Sequence, residues 1–144
     1  MERRRDLEKL HEEIQELFSD MWQVPRFAAW QGFRPQVDCY RLADPPELHV
    51  VVELAGVDPD DVKVVLDEHT LVVTGERKRP RVEGAHYQQM EIDYGTFQRQ
   101  IRLAEPVDVD AATATYARGL LRLVLPIAPA PPRRDPVAIE VTRA

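Results

Sequence analysis

The sequence predicts an all-β fold, an antiparallel β-sandwich, with a helical segment before it and an extended segment after it. Two observations carry this prediction. Between about residues 35 and 126, apolar residues alternate with mostly polar ones along several short stretches, and Pro, Gly and Asp separate these stretches. Alternation with period two is typical of strands that bury one face, and short connections between such strands are typical of antiparallel sheets.

The strands are predicted where apolar side chains recur at every second position. These positions are Leu48, Val50, Val52 and Leu54; Val62, Val64 and Leu66; Phe97, Ile101 and Leu103; and Leu121, Leu123 and Leu125. The segment 70–74 is rich in β-branched residues, which favours one more strand. Arg118 and Gly119 predict a two-residue hairpin turn in which Gly119 has a positive φ. The charged stretch 78–84 predicts a loop.

The first 34 residues differ from the predicted sandwich. Apolar residues recur there at spacings of three and four, at Leu7, Leu10, Ile14, Leu17 and Met21. This spacing predicts an amphipathic helix. After Met21 the pattern stops, and Trp22, Phe27, Trp30 and Phe33 follow in an irregular stretch. Large aromatic side chains outside regular structure must be buried or remain adhesive.

A proline-rich segment follows the predicted sandwich. Its prolines are Pro126, Pro129, Pro131, Pro132 and Pro136. They predict an extended, semi-rigid linker without a helix or a central strand. The segment 137–141 then alternates apolar and other residues, as in a strand that needs a partner edge. The chain therefore divides into an arm (1–34), a sandwich (35–126) and a C-terminal extension (127–144).

Composition and charge exclude several classes of protein. The net charge of −6 argues against a nucleic-acid binder, because contacts to phosphates need clustered Lys and Arg. The single cysteine, Cys39, excludes an intrachain disulfide and a multi-cysteine metal site. The four histidines lack the spacing of a metal site, so we expect no metal and no cofactor. No apolar run is long enough for a membrane span and no signal-peptide pattern is present, so we expect a cytoplasmic protein.

An enzyme is not expected. Ser19, in the predicted helix, is the only serine, which argues against a serine triad. Cys39 is interpreted as an inert, buried strand cysteine. The six glycines form no phosphate-binding loop, and the sequence therefore suggests no catalytic residues.

Two further residues allow two interpretations each. Arg99 lies on the same face of its predicted strand as Phe97 and Ile101. It therefore either extends to water or makes an ion pair or carbonyl contact at a subunit interface. Tyr87 lies beyond the charged loop and either covers its own sandwich or belongs to a contact between subunits.

Motifs along 35–141 resemble, in order, those of the small heat-shock proteins and their α-crystallin domain. The motifs are the stretch 35–40, ELAGVDPDDV at 53–62, LVVTGER at 71–77, YGTFQR at 94–99, ATYARGLL at 114–121 and Ile139-Glu140-Val141. Two positions depart from the family pattern, Ala55 where Pro is usual and Arg118 where Asn is usual. Each motif is weak alone, but the ordered set is specific.

The resemblance implies an immunoglobulin-like sandwich that forms dimers by exchanging a loop strand, with Tyr87 and Arg99 at the dimer contact. It implies larger homo-oligomers in which Ile139 and Val141 anchor the C-terminal tail in a groove of a neighbour. The strands of that groove map to Val62–Leu66 and Thr113–Ala117. The residues expected to line it are Val62, Val64, Leu66, Thr113 and Thr115.

The function that the resemblance implies is that of a holdase, a chaperone that binds unfolding client proteins without ATP and prevents their aggregation. The apolar side chains of the arm are the candidates for client binding. They are Leu10, Ile14, Leu17, Phe18, Met21, Trp22, Phe27, Trp30 and Phe33. The alternative is a CS-type co-chaperone or adaptor module that docks one partner. Such a module does not need the Ile-x-Val tail or the aromatic arm, and its native mass would distinguish it.

Overall fold

The computed structural model describes residues 9–10, 12–14, 32–130 and 135–144. Residues 9–10 and 12–14 are helical. The strands of the described part are β1 (Val37–Ala43), β2 (Pro46–Glu53), β3 (Val62–Leu66), β4 (Thr70–Arg77), β5 (Gly95–Arg102), β6 (Thr113–Ala117), β7 (Leu120–Pro126), β8 (Val137–Ile139) and β9 (Val141–Arg143). Two single-turn 3₁₀ helices, Pro59–Asp61 and Val109–Ala111, precede β3 and β6.

The strands form two sheets, which confirms the predicted β-sandwich. One sheet has the order β1-β2-β7-β6-β9, and the other has the order β5-β4-β3-β8. Every pairing between these strands is antiparallel except that of β9 with β6, which is parallel. The C-terminal segments β8 and β9 therefore add one short strand to each sheet.

The predicted alternation places its apolar residues between the two sheets. Val50, Val52, Leu66, Leu71, Val73, Leu121 and Leu125 are fully buried there. Phe97 is 1% exposed, and Phe33 packs edge-on against its ring with a centroid separation of 5.8 Å. The inward-facing side chains of two facing sheets thus form one common core.

Side chains and special backbone conformations end the strands where the sequence predicts turns. Arg118 has φ 54° and Gly119 has φ 79°, as expected for the primed hairpin turn between β6 and β7. Between β3 and β4, Asp67 Oδ1 accepts hydrogen bonds from the backbone N–H groups of His69 and Thr70, at 2.8 and 2.6 Å. This is the Asx-turn geometry that favours Asp in turns.

The interpretation of Cys39 as a core residue is wrong. Cys39 lies in β1 and is exposed, because β1 is the outermost strand of its sheet and most of its side chains lie beyond the edge of the core. Even so, partial burial of the thiol raises its pKa above the ordinary value for cysteine.

Candidate protein-binding sites

The C-terminal tail lies along one open side of the sandwich, between β3 and β6. We call this side the tail groove. β8 pairs antiparallel with β3, so that Ile139 lies opposite Val64. β9 pairs parallel with β6, so that Val141 lies opposite Ala114. The two strands predicted to form the groove are therefore the two strands that hold the tail, here of the same chain.

The two predicted anchors point into the groove. Ile139 and Val141 are half-buried and pack against the main core, whereas Ala138 and Glu140 are exposed. This is the period-two alternation expected when a single strand covers an apolar edge. Full burial of each anchor would contribute at most about 1.5–3 kcal/mol, and ordering the tail offsets part of that gain.

The predicted groove residues take different positions. Val64 and Leu66 are buried and pair with β8, while Val62 is buried at the start of β3, before the paired stretch. Thr115 is half-buried and pairs with Thr142. Thr113 is exposed and lies one residue before the pairing begins. Sequence reasoning missed Ala114, which is 3% exposed and pairs with Val141, although the ATYARGLL motif contains it.

The contacts of the tail extend past the Ile-x-Val motif. One Arg143 nitrogen lies 2.9 Å from Asp58 Oδ1 and 3.5 Å from Asp60 Oδ2, and the N–H of Ala144 donates to the Tyr116 carbonyl at 3.1 Å. Thr142 Oγ1 donates to the Ala114 carbonyl at 3.3 Å. The Arg143 pairs are exposed and so contribute little each, but they are present only when the tail lies in the groove.

A second candidate surface is the long loop 78–94 between β4 and β5. Four apolar side chains are more than half exposed on it: Val82, Tyr87, Met90 and Ile92, at 60, 52, 57 and 61%. Residues 78–94 form no strand in this single chain. The Tyr87 ring centroid lies 5.7 Å from the Arg79 guanidinium carbon, and the role of Tyr87 between subunits stays a prediction.

Two arginines fix the base of this loop. Arg77 donates through Nε to the Asp93 carbonyl at 2.8 Å, and a second guanidinium nitrogen donates to the same oxygen. A third donates to the Ala55 carbonyl at 3.3 Å. Arg79 donates to the Ile92 carbonyl at 3.3 Å and lies 4.4 Å from the Tyr94 ring centroid. The ends of the loop are thereby held together while its middle remains exposed.

The other predicted dimer residue, Arg99, makes a carbonyl contact within its own chain. One guanidinium nitrogen donates to the Pro35 carbonyl at 2.7 Å. Burial lowers the pKa of the guanidinium, and the charge of Arg34 lowers it further. Arg99 therefore ties β5 to the segment before β1, and its role between subunits stays a prediction.

The strand β1 presents a free edge, since among the described residues it pairs only with β2. Tyr40 and Leu42 on this strand are 44 and 40% exposed. The Tyr40 ring stacks on His49 of β2 with centroids 5.1 Å apart, and His49 Nε2 lies 2.9 Å from Glu47 Oε1. An unpaired edge with exposed apolar side chains is a template for another strand.

Three predicted client-binding residues lie within the described part of the chain. Leu10 is 42% exposed, but Ile14 and Phe33 are 7 and 8% exposed. Ile14 packs with Val65 and Val72, and Phe33 packs in the main core. Client binding by these two side chains stays a prediction and requires that they first leave this packing. Leu17, Phe18, Met21, Trp22, Phe27 and Trp30 lie outside the described residues.

A membrane-spanning helix is not found: in the described ranges, no helix has the length and apolar character to cross a bilayer.

Two curated heat shock proteins are similar to this chain in sequence. The chain is 39% identical over 83 residues to a 22.7 kDa class IV heat shock protein of Pisum sativum, covering 56% of this chain and 42% of the relative. It is 35% identical over 112 residues to a 19.0 kDa class II heat shock protein of Oryza sativa subsp. japonica, covering 73% of this chain and 64% of the relative. The chain thus spans less than two thirds of either relative.

A solved structure shares the fold. The crystal structure of a small heat-shock protein from Xylella fastidiosa matches with a TM-score of 0.60 and 32% identity, covering 74% of this chain and 96% of that one. The model of the Hsp20/alpha crystallin family matches residues 41–142, which include β2 to β8 and the Ile-x-Val motif. This chain therefore belongs to the Hsp20/alpha crystallin family of small heat-shock proteins.

Proposed function

We propose that the protein is an ATP-independent holdase chaperone of the cytoplasm, which binds unfolding client proteins and keeps them from aggregating. The observation that carries the proposal is the seating of the Ile-x-Val tail, with its two half-buried anchors, in the groove between β3 and β6. Such a contact is weak enough to open and close. Repeated in an assembly, many such contacts hold together through effective concentration.

The same tail contact is compatible with exchange between copies of the chain. A tail that leaves its own groove can enter that of a neighbour through the same backbone pairings. Heating, which loosens such weak contacts, would expose Val64, Ala114 and the tail anchors together. These apolar surfaces are suited to extended segments of unfolding proteins, because backbone pairing recognises a strand without reading its sequence.

The dimer in this proposal forms between the loop 78–94 and the free edge of β1 of a second copy. Support comes from the exposed apolar side chains on both surfaces, among them Tyr87 on the loop and Leu42 on the strand. The loop is held only at its base, by Arg77 and Arg79, so its middle is available to add a strand to a neighbouring sheet.

Aggregation suppression measured beside native mass tests the proposal. The full chain, mixed at near-stoichiometric ratio with a heated model enzyme, should suppress light scattering equally with and without ATP, and its native mass should be several times 16.6 kDa. A monomer that gives no protection would favour the adaptor module. Protection that appears only with ATP would contradict the ATP-independent mechanism.

A loop variant tests the dimer contact. Deleting 81–88 removes Tyr87 and should yield single sandwiches, whereas replacing the exposed loop residue Glu83 by Ala should leave the dimer intact. If the deletion variant remains dimeric in analytical ultracentrifugation, the loop is not the dimer contact.

A further inference from the structure

The outer face of the four-stranded sheet carries an apolar spot that the core does not explain. Val65 on β3 and Val72 on β4 are paired in register. Both point away from the core, because their neighbours along each strand line it. The two valines are nevertheless only 3 and 0% exposed. A surface facing away from the core stays this well buried only when another part of the protein covers it.

In the part of the chain that the structure describes, the element that covers this spot is the helical segment with Ile14. Ile14 is 7% exposed and forms a separate buried cluster with Val65 and Val72. The preceding residue, Glu13, places its carboxylate oxygen 3.6 Å from Nζ of Lys63, which lies two positions before Val65 on the same face of β3. Leu10, one turn earlier on the helix, remains 42% exposed. Within the described residues, the contact thus combines one aliphatic anchor with one complementary charge pair.

The surroundings limit what this spot can accept. Lys63 lies opposite Thr74, Val72 lies opposite Gln100 on β5, and Val65 lies opposite Ala138 on β8. Polar side chains and one methyl group therefore border the two valines. The apolar area is small, and among the described residues Ile14 is the aliphatic side chain that packs on it. The positive charge of Lys63 favours an acidic neighbour beside that side chain, which Glu13 supplies.

We propose that Lys63, Val65 and Val72 form a docking patch for the arm helix of the same chain, with Ile14 as the anchor, and that the docked helix shields this patch from clients. Release of the helix would expose Ile14 and both valines at once. The shielding part of this inference rests on the proposed chaperone function, whereas the docking does not.

The native side chains allow a direct test of docking. A carbodiimide, which couples a carboxylate to an amine without a spacer, should join Glu13 to Lys63 in the full chain. The pair of Lys78 with Asp61, at 3.4 Å, serves as an internal reference in the same digest. Unlabelled and ¹⁵N-labelled chains are mixed in equal amounts, unfolded and refolded together. In each cross-linked Glu13–Lys63 peptide, both halves should then be unlabelled or both should be ¹⁵N-labelled. Absence of this peptide beside a normal reference peptide, or a statistical share of mixed label, would overturn docking within one chain.

Two matched variants test the anchor and the shielding. Ile14→Asp should lose most of the Glu13–Lys63 coupling while the reference pair is unchanged. Lys9→Ala, which lowers the net charge by the same amount at an exposed position of the same segment, should retain both. Ile14→Asp should also begin to protect a heated client at a lower temperature than Lys9→Ala. Equal onset temperatures would refute the shielding. If no form of the protein protected any client, the proposed function would fail, while the coupling would still report the docking.

Discussion

The guanidinium carbon of Arg77 lies 3.5 Å from the centroid of the Phe33 ring. Arg77 ends β4, while Phe33 precedes β1, and the same guanidinium also binds the carbonyls of Asp93 and Ala55. One side chain therefore joins the entry to the sandwich, the turn after β2 and the end of the long loop. A planar fork with five donors can do this, whereas a lysine ammonium cannot reproduce it.

Replacing Arg77 by Ala should lower the free energy of unfolding by about 1–3 kcal/mol, because a cation–π contact and hydrogen bonds to a charged donor are lost together. Arg77→Lys should recover only part of this loss. Urea unfolding and limited proteolysis of the loop 78–94 are the measurements. Arg102→Ala, which removes an exposed arginine from β5, is the control and should have little effect. Equal stability of the two alanine variants would contradict the role assigned to Arg77.

The tail groove predicts a stability difference between two double variants. Ile139→Ser with Val141→Ser removes the half-buried anchors and should lower the free energy of unfolding by about 1–3 kcal/mol. Ala138→Ser with Glu140→Ser changes the exposed positions of the same segment and should change it by less than about 0.5 kcal/mol. Both are compared by urea unfolding at one protein concentration. Indistinguishable midpoints would mean that the tail does not occupy the groove.

Two glycines are expected to respond differently to the same substitution. A Cβ at Gly75 in β4 would collide with the Asp61 carbonyl oxygen and lie 2.8 Å from Phe97 Cζ, whereas a Cβ at Gly84 meets no atom within 4 Å. Gly75→Ala should cost about 1–3 kcal/mol or more from overpacking. Gly84→Ala should cost only about 1–2 kcal/mol from its positive φ. The melting temperatures of the two variants are compared by thermal unfolding. A Gly75→Ala variant that is more stable than Gly84→Ala would contradict the close packing of β4.

The raised pKa of Cys39 predicts slow thiol chemistry despite the exposure of the residue. The thiolate is the reactive form, so at a given pH the folded chain holds less of it than the unfolded chain does. The pH midpoint of alkylation by iodoacetamide should therefore be higher in buffer than in urea. A lower midpoint in the folded protein would contradict the partial burial of this thiol.

Much of the fold was predictable because its strands bury one face. The alternation at Leu121, Leu123 and Leu125 and the strand boundaries of the groove appear in the structure as expected. The alternation also explains why the buried outer face of the four-stranded sheet was not predicted. Val65 and Val72 are apolar at positions of outward parity, and their burial depends on the distant Ile14. The exposure of Cys39 likewise depends on which strand forms the edge, which a local pattern does not encode.

The candidate sites divide in the same way. Ile139 and Val141 belong to a short motif whose alternation is local, so the sequence could nominate them as anchors, and their role between subunits stays a prediction. The role of Arg77 depends on three segments that are distant in sequence, around Phe33, Ala55 and Asp93. Ion pairs such as Arg143 with Asp58 likewise join residues that are distant in sequence. Contacts of this kind follow from the folded arrangement and have no signature in the residues on either side.

The tail pairs with both sheets, and a single residue, Glu140, separates β8 from β9. So short a hinge leaves no slack for one half of the tail to detach while the other remains in register. Departure of the tail should thus be an all-or-none event in which its pairings with β3 and with β6 break together. The tail groove is then either fully covered or fully open, and in the proposed assembly each tail contact would have two states.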